Sequence, residues 1–591
     1  MRKQSLFIQK ILSFILLSFA LAAPAFGQKQ NNKGADLVSE EQLAKKADAL
    51  FTQWDKKDAP GCAVAAIKEG RIVYKRGFGM ANLDYDIPNT PTTVFNIASV
   101  SKQFTAASVA LLARQGKLSL DDDIRKYLPE IPNYGDTITI RHLIHHTSGI
   151  RDYPQLVSLS GGSSEDSITD KEILKILGRQ KRLNFKPGDK FLYNNSGYIL
   201  LAIIVERVSG KTLRAFADEQ IFKPLGMKNT QFYDNRYEIV KNRANGYIPV
   251  SDRKIGVGAS LFDRVGDQGL LSTVDDLYLW NQNFYDPKVG DRDFIELLTT
   301  TGKLRSGEKL DYAFGLVRSN YKGLPVIEHS GAIRRGFRAH IYRFPEQKFT
   351  ALALCNSIAI APLTIVRQLA NIYLDGQFTA TNPPPGERKN AADAFDEVKL
   401  SENELTRYAG IYADLDTGRS FTLSVKEGKL IYKSSQKFET ALKPVADNRF
   451  LLTGIKDKVE LVSAFNKNNK NPSLLSLKLI EAGERPIDFK PVKPPVSTPQ
   501  NLSEYVGVYH SDELKTDYQI SLRDNNLTVH IGDFEGAALS NPFADFFART
   551  AGSLTDPILD LNITFTRNKK NKISEFVLNS ERVKGIIFKK Q

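Results

Sequence analysis

The chain has 591 residues, 41% of them hydrophobic and 25% charged, with a formal net charge of +14. Length and apolar content support more than one core, and the two cysteines are too few for a disulfide scaffold. In a secreted chain the positive net charge points to an anionic cell envelope rather than to nucleic acid, and the scatter of cations among acids makes that a weak pull.

In chain order, residues 1–27 read as a secretory leader. Arg2, Lys3 and Lys10 are basic, Ile11 to Ala23 is apolar, and Ala25-Phe26-Gly27 supplies small residues for cleavage. The mature chain is expected to start near Gln28 with net charge +11, in the periplasm or secreted. No cysteine stands at that junction to carry a lipid, and no later apolar run approaches a membrane span. Cys62 to Ile67 and Arg71 to Phe78 predict a hairpin around Glu69-Gly70. Ser99 to Arg114 lacks Gly and Pro and predicts a helix stopped by Gly116.

Three short motifs carry the chemistry: Ser99-Val100-Ser101-Lys102, Tyr193-Asn194-Asn195 and His329-Ser330-Gly331. At the start of a helix, Ser99 would have Lys102 on its own face one turn later. The positive helix end and its free N–H groups favour an oxyanion there. To act as base Lys102 must be neutral, so its surroundings would have to depress a pKa of about 10.4. Ser-x-x-Lys recurs at Ser306/Lys309, Ser319/Lys322 and Ser434/Lys437, and Tyr-x-Asn at Tyr233/Asn235, so the motifs need context.

Five blocks supply it. Phe95 to Pro132, Ile138 to Tyr153 (ITIRHLIHHTSGIRDY), Phe185 to Phe232, Gly266 to Trp280 and the His-Ser-Gly motif resemble the serine β-lactamase/DD-peptidase superfamily, particularly its class C-like branch. The resemblance covers roughly Leu43 to Leu374. It implies Ser99 as acylated nucleophile, Lys102 as its base, Tyr193 as proton donor to the leaving group, and Asn195 at the substrate amide. It also implies that the strand from His329 through Ser330 and Gly331 flanks the substrate, with the Ala332 and Ser99 N–H groups as oxyanion hole. Where many members carry Lys-Thr-Gly, this chain has His-Ser-Gly, as in aminopeptidase and esterase members. Arg334, Arg335 and Arg338 follow, as carboxylate clamps or as side chains facing solvent.

His142, His145 and His146 lack a matching carboxylate–His pair, which favours a structural turn over a zinc centre. No phosphate loop or dinucleotide fingerprint implies a cofactor, and no metal is expected. In the resembled fold Cys62 and Cys355 lie on adjacent strands. A bond is permitted in an oxidising compartment, with two buried free thiols the favoured expectation because cross-strand geometry is demanding.

Beyond Thr379, Asn382-Pro383-Pro384-Pro385-Gly386 begins a linker, and Lys490 to Pro495 reads as a second. Tyr408-Ala409-Gly410-Ile411-Tyr412 returns as Tyr505-Val506-Gly507-Val508-Tyr509 at an offset of 97. With alternating apolar residues, the repeat predicts two small antiparallel β-barrels. The expected fold is an α/β sandwich with an antiparallel sheet (residues 28–380), a linker (381–400) and two barrels (401–495 and 496–591). The expected activity is a serine hydrolase forming an acyl-enzyme with D-amino-acid amides, short D-peptides or peptidoglycan fragments. Esterase or weak β-lactamase action, or a penicillin- or peptidoglycan-binding sensor without turnover, are the alternatives.

Overall fold

The structure, a computed structural model, describes residues 39–379 and 395–591, except 53, 163–167, 252–253, 259–262, 415–418, 435–438, 447, 454–458, 466–473, 482–486, 495–498, 533 and 550–560. The leader at 1–27 and the linker from 381 to 394 lie outside the described residues.

Helix α1 (Glu40–Phe51) is started by Ser39 and Gln42 capping each other. Strands β1 (Cys62–Lys68) and β2 (Arg71–Phe78) form the expected hairpin. Its turn takes positive φ at Glu69 (48°) and Gly70 (78°), matching the strand twist. Helix α2 (Lys102–Arg114) is buried from Lys102 through Ala110, so it runs through the core rather than along a surface. Helix α3 (Asn195–Ser209) ends on Gly210 at φ 71°. Strands β3 (Val317–Tyr321), β4 (Leu324–Ile333), β5 (Phe337–Phe344) and β6 (Phe349–Cys355) follow, then helix α4 (Pro362–Tyr373).

The main sheet has the order β3-β4-β5-β6-β1-β2 and is antiparallel throughout. Both of its faces are covered, which is why β1 and β6 are apolar at nearly every position. Val64, Ala66, Tyr342 and Ala351 pack with Phe51 of α1 and Leu369 of α4. Ala63, Ala65, Leu352 and Leu354 belong to the same core as Phe104 of α2 and Ile199 of α3.

This order lays β1 directly against β6, with Cys62 opposite Cys355. The expectation of free thiols is overturned: the two form a disulfide with Cα atoms 4.0 Å apart. The Asn356 N–H donates to Gly61 O at 3.0 Å, which makes the cysteines a non-hydrogen-bonded pair, the closer of the two antiparallel pair types.

The eight strands from Gly410–Ala413 to Ile487–Val492 close into a barrel, with Ile411 of the first paired to Val492 of the last. Lys490 to Val492 therefore form the end of a barrel strand, not a linker as the prolines suggested. The second unit is a nine-stranded antiparallel sheet that nearly closes, its Gly507–Ser511 strand paired with Ile586–Lys590. The 97-residue offset survives in detail. Strand Lys429–Ser434 corresponds to Asn526–Ile531, and the Tyr412 hydroxyl donates to Tyr408 O (2.7 Å) as that of Tyr509 donates to Tyr505 O (2.8 Å). The tyrosines are buried, as expected of barrel core.

The second barrel is docked on the helical side of the region that holds the main sheet, and its interior joins that region's core. Arg151 and Glu513 pair across the seam at 2.6 Å with side chains 0% and 5% exposed. Beside them the Tyr518 hydroxyl donates to Leu159 O at 2.9 Å.

The disulfide closes a loop of 293 residues. Cys62→Ala/Cys355→Ala should cost about 2–5 kcal/mol of stability. Reductant should bring the wild-type Tm down to that of the double variant and leave the variant unmoved. An unchanged wild-type Tm after confirmed thiol release would contradict the bond.

Candidate active site

Ser99 lies in a 3₁₀ turn, Ala98–Ser101, that leads into α2, so the α-helix proper begins three residues later than the sequence suggested. Ala98 is at φ 51°, a conformation costly for an alanine, and its N–H donates to Asn96 Oδ1 at 2.9 Å. Strand β4 runs against this turn. A Cβ at Gly331 would lie 2.3 Å from Ile97 O, so the glycine of His-Ser-Gly is a requirement of close approach.

The Lys102 side chain is 0% exposed. Its Nζ donates to Ser99 Oγ at 3.2 Å, Asn195 Oδ1 at 2.9 Å and Asp267 O at 2.7 Å. It also lies 4.9 Å from the ring centre of Tyr193. Segment 266–270 is pinned to α2 by Thr105 Oγ1 donating to Gly266 O (2.7 Å) and Leu270 N–H donating to Ser101 Oγ (3.0 Å).

Asn194 caps α3, its Oδ1 accepting from the Gly197 N–H at 2.8 Å. Asn195, the first helical residue, donates its N–H to Asp152 Oδ1 at 2.5 Å and its Nδ2 to Asp152 Oδ2 at 3.3 Å. With Oδ1 on Lys102, one Nδ2 hydrogen is left for a substrate. Burial raises the Asp152 carboxyl above the usual range, against the opposing pull of Arg582 and the Asn195 N–H.

His329 is buried, with Nδ1 2.6 Å from Ser330 O and Nε2 3.0 Å from the Tyr312 hydroxyl. A carbonyl only accepts, so Nδ1 carries the proton and Nε2 accepts from Tyr312. Burial, then Lys102, pushes the imidazole down to about 3, which keeps it neutral at physiological pH. Ser330 and Ala332 alternate with it on β4 and are exposed.

Ser99, Tyr193, Asn195, His329, Ser330 and Ala332 line one cavity of about 1000 Å³. Arg334 borders it too, while Arg335 and Arg338 are not among its lining residues. Of the histidine trio, His145 and His146 are buried just beyond the short helix Ile140–Ile144, with His146 4.4 Å from the Tyr193 ring centre. Two of the Ser-x-x-Lys decoys have no such setting, since Ser306 is exposed and Ser319 lies on β3 bonded to Glu328 at 2.5 Å; Lys437 of the third falls outside the described residues.

Several site groups escaped sequence reasoning. Asp152 and Asp267 stood inside two of the quoted blocks, adjacent to residues already noticed. Tyr312 and Arg582 carried no local signal, yet both line the cavity. Arg582 comes from the second barrel, between strands Ile573–Asn579 and Ile586–Lys590.

Comparison with known proteins agrees with this geometry. The family profile described as Beta-lactamase matches residues 46–362. Penicillin-binding protein 4* of Bacillus subtilis (strain 168) is 27% identical over 432 residues, 70% of this chain and 93% of that protein. A D-aminopeptidase of Gluconobacter oxydans (strain 621H) is 28% identical over 53% of this chain, and only 58% of that relative is spanned. The solved octameric penicillin-binding protein homologue from Pyrococcus abyssi aligns with 76% of this chain and 100% of its own, at 26% identity and TM-score 0.51. The profile covers more than half of the chain, including the whole stretch from Ser99 to His329, and the protein belongs to the β-lactamase family of serine hydrolases.

Proposed function

We propose that the protein is a secreted hydrolase that forms an acyl-enzyme on Ser99 and acts on D-amino-acid amides, short D-peptides or peptidoglycan-derived peptides. The observation that carries this reading is the three-way contact of the buried Lys102 Nζ with Ser99, Asn195 and the Asp267 carbonyl, three residues that line the cavity of about 1000 Å³. Ser99 Oγ adds to the substrate carbonyl while Lys102 takes its proton. The N–H groups of Ser99 and Ala332 receive the oxyanion, and Tyr193 passes a proton to the leaving amine as the C–N bond breaks. Water then cleaves the ester: its oxygen adds to the acyl carbon as its proton restores Tyr193, and Lys102 returns its proton to Ser99 Oγ as the ester C–O bond breaks. The remaining Nδ2 hydrogen of Asn195 meets the substrate amide. The D-aminopeptidase relatives support the substrate class, and a buried disulfide supports an oxidising compartment. The hydrolase unit is assigned to residues 28–380, with the barrels at 401–495 and 496–591.

A second reading, acylation without turnover, draws on the likeness to Penicillin-binding protein 4* over 93% of its length. Steady hydrolysis of a D-alanine p-nitroanilide supports the enzyme, and a single stoichiometric burst supports the sensor.

Ser99→Ala should abolish labelling by a fluorophosphonate probe without changing the circular dichroism spectrum. Lys102→Ala should lower turnover by about 10²–10⁴-fold. Labelling at Ser306, Ser319 or Ser434 instead would overturn the assignment.

The neutral imidazole of His329 offers a substrate carboxylate no charge. His329→Lys should therefore raise kcat/KM for a carboxylate-bearing cephalosporin relative to an amine-bearing D-amino-acid anilide, by about tenfold for each 1.4 kcal/mol of new charge interaction. The wild-type profile between pH 5 and 8 should show no limb from His329, because its proton leaves near pH 3. An unmoved substrate ratio in the variant would place His329 outside the substrate contacts.

A further inference from the structure

The loop between the last two strands of the second barrel, residues 580–585, is seated in the hydrolase region by a dense set of hydrogen bonds. The Asp152 N–H donates to Arg582 O at 3.3 Å, Asn184 Nδ2 donates to the same oxygen at 2.9 Å, and the Arg582 N–H donates to Gln155 Oε1 at 2.7 Å. The Lys584 N–H reaches Asn184 Oδ1 at 2.8 Å, and Arg151 donates twice to Lys584 O, at 3.0 and 2.7 Å. Arg151 is itself held from the barrel by Glu513. These hydrogen bonds seat the loop against the region that holds the cavity.

That position aims Arg582 into the active site. Its guanidinium lies 3.8 Å from Asp152 Oδ2 and 5.3 Å from the Tyr193 ring centre. Asp152 is 1% exposed, and a carboxylate so buried needs compensation. The N-terminus of α3 supplies part through the Asn195 N–H. The charged groups that act on Asp152 are Arg582 and Lys102, which favour its ionised form, and Asp267, which opposes it. Glu581, mostly exposed, accepts from Arg582 Nε at 3.3 Å.

We propose that Arg582 is a positioning residue of the active site: as counter-ion to Asp152 it fixes Asn195 against Lys102, so the second barrel is part of the catalytic machinery. The chain of contacts runs from Arg582 to Asp152, to the Asn195 N–H and amide, to Lys102 Nζ and to Ser99 Oγ. This rests on the reading of Ser99 and Lys102 as the reacting pair. Burial already raises the Asp152 carboxyl, and Arg582 opposes that rise. Removing the guanidinium raises it further, so the neutral acid appears at higher pH and the hold on Asn195 weakens first on the acid side.

The test uses the full chain, p-nitrophenyl acetate hydrolysis from pH 4.5 to 8.5, and fluorophosphonate labelling. Arg582→Met should lower kcat about tenfold or more at neutral pH, with KM little changed, and move the acid limb of kcat/KM upward. Arg582→Lys should restore most of kcat and return the limb. Asp152→Asn should abolish that limb, and adding Arg582→Met to it should cost little more. A folded Arg582→Met variant with unmoved kcat and limb, or losses that multiply in the double variant, would overturn the proposal. If Arg582→Met does not fold, Asp152→Asn decides, because a retained acid limb overturns it equally. Wild-type labelling is read first. Its absence at Ser99 removes the nucleophile reading and this one together, whereas normal labelling with insensitive Arg582 variants removes this one alone.

Discussion

The structure around the cavity is organised by one buried amine. Taking a polar nitrogen out of water is costly unless hydrogen-bond partners meet it, and Lys102 Nζ finds three on separate pieces of chain. Ser99 comes from its own helical turn, Asn195 from the start of α3, and the Asp267 carbonyl from a segment pinned to α2. Each piece is then constrained by its own neighbours. Ala98 must hold a left-handed conformation, β4 must pass close enough to exclude any side chain at position 331, and Asp152 must hold the first residue of α3. Moving any one of these leaves the buried Lys102 nitrogen short of a hydrogen-bond partner.

The same constraint explains why the polar interior continues outward instead of stopping at Lys102 and its three partners. Asn195 is held by Asp152, a buried carboxyl that itself needs partners. Asp267 is another, accepting from the Tyr153 hydroxyl at 3.1 Å, which itself accepts from Arg264 Nε at 2.6 Å. The polar contacts run on to the seam with the second barrel, at the buried Arg151–Glu513 pair and the Arg582 loop, while Asp267 Oδ1 is buried without a hydrogen-bond partner among the described residues.

What the amino-acid sequence disclosed follows from how local each signal is. Ser99 and Lys102 lie one helical turn apart, the hairpin at Glu69-Gly70 is closed by two residues, and the repeat compares like with like at 97 residues. All three are legible without knowing the fold. The Cys62–Cys355 bond depends on the register of two strands separated by 293 residues, which composition does not encode. Lys490 to Val492 looked like a linker because of their prolines, but their pairing partner is the first strand of the same barrel. Arg582 is the extreme case. Its neighbourhood reads as one more turn between strands, and its partners Asp152 and Tyr193 stand nearly four hundred residues and more away in the chain.

The duplicated barrels sharpen that point. Both copies keep the Tyr-x-Gly-x-Tyr strand start, with the second hydroxyl bonded to the first tyrosine's carbonyl, and both place glycine at nearly the same φ, 156° at Gly410 and 154° at Gly507. Those features serve the barrel itself. Their fates differ in what the barrel packs against: the first closes on a core of its own, while the second is open at one seam and shares the hydrolase core. Its surface supplies Glu513 to Arg151 and the 580–585 loop to the cavity. The two copies of one fold thus pack differently, and the copy more distant in sequence is the one that borders the cavity.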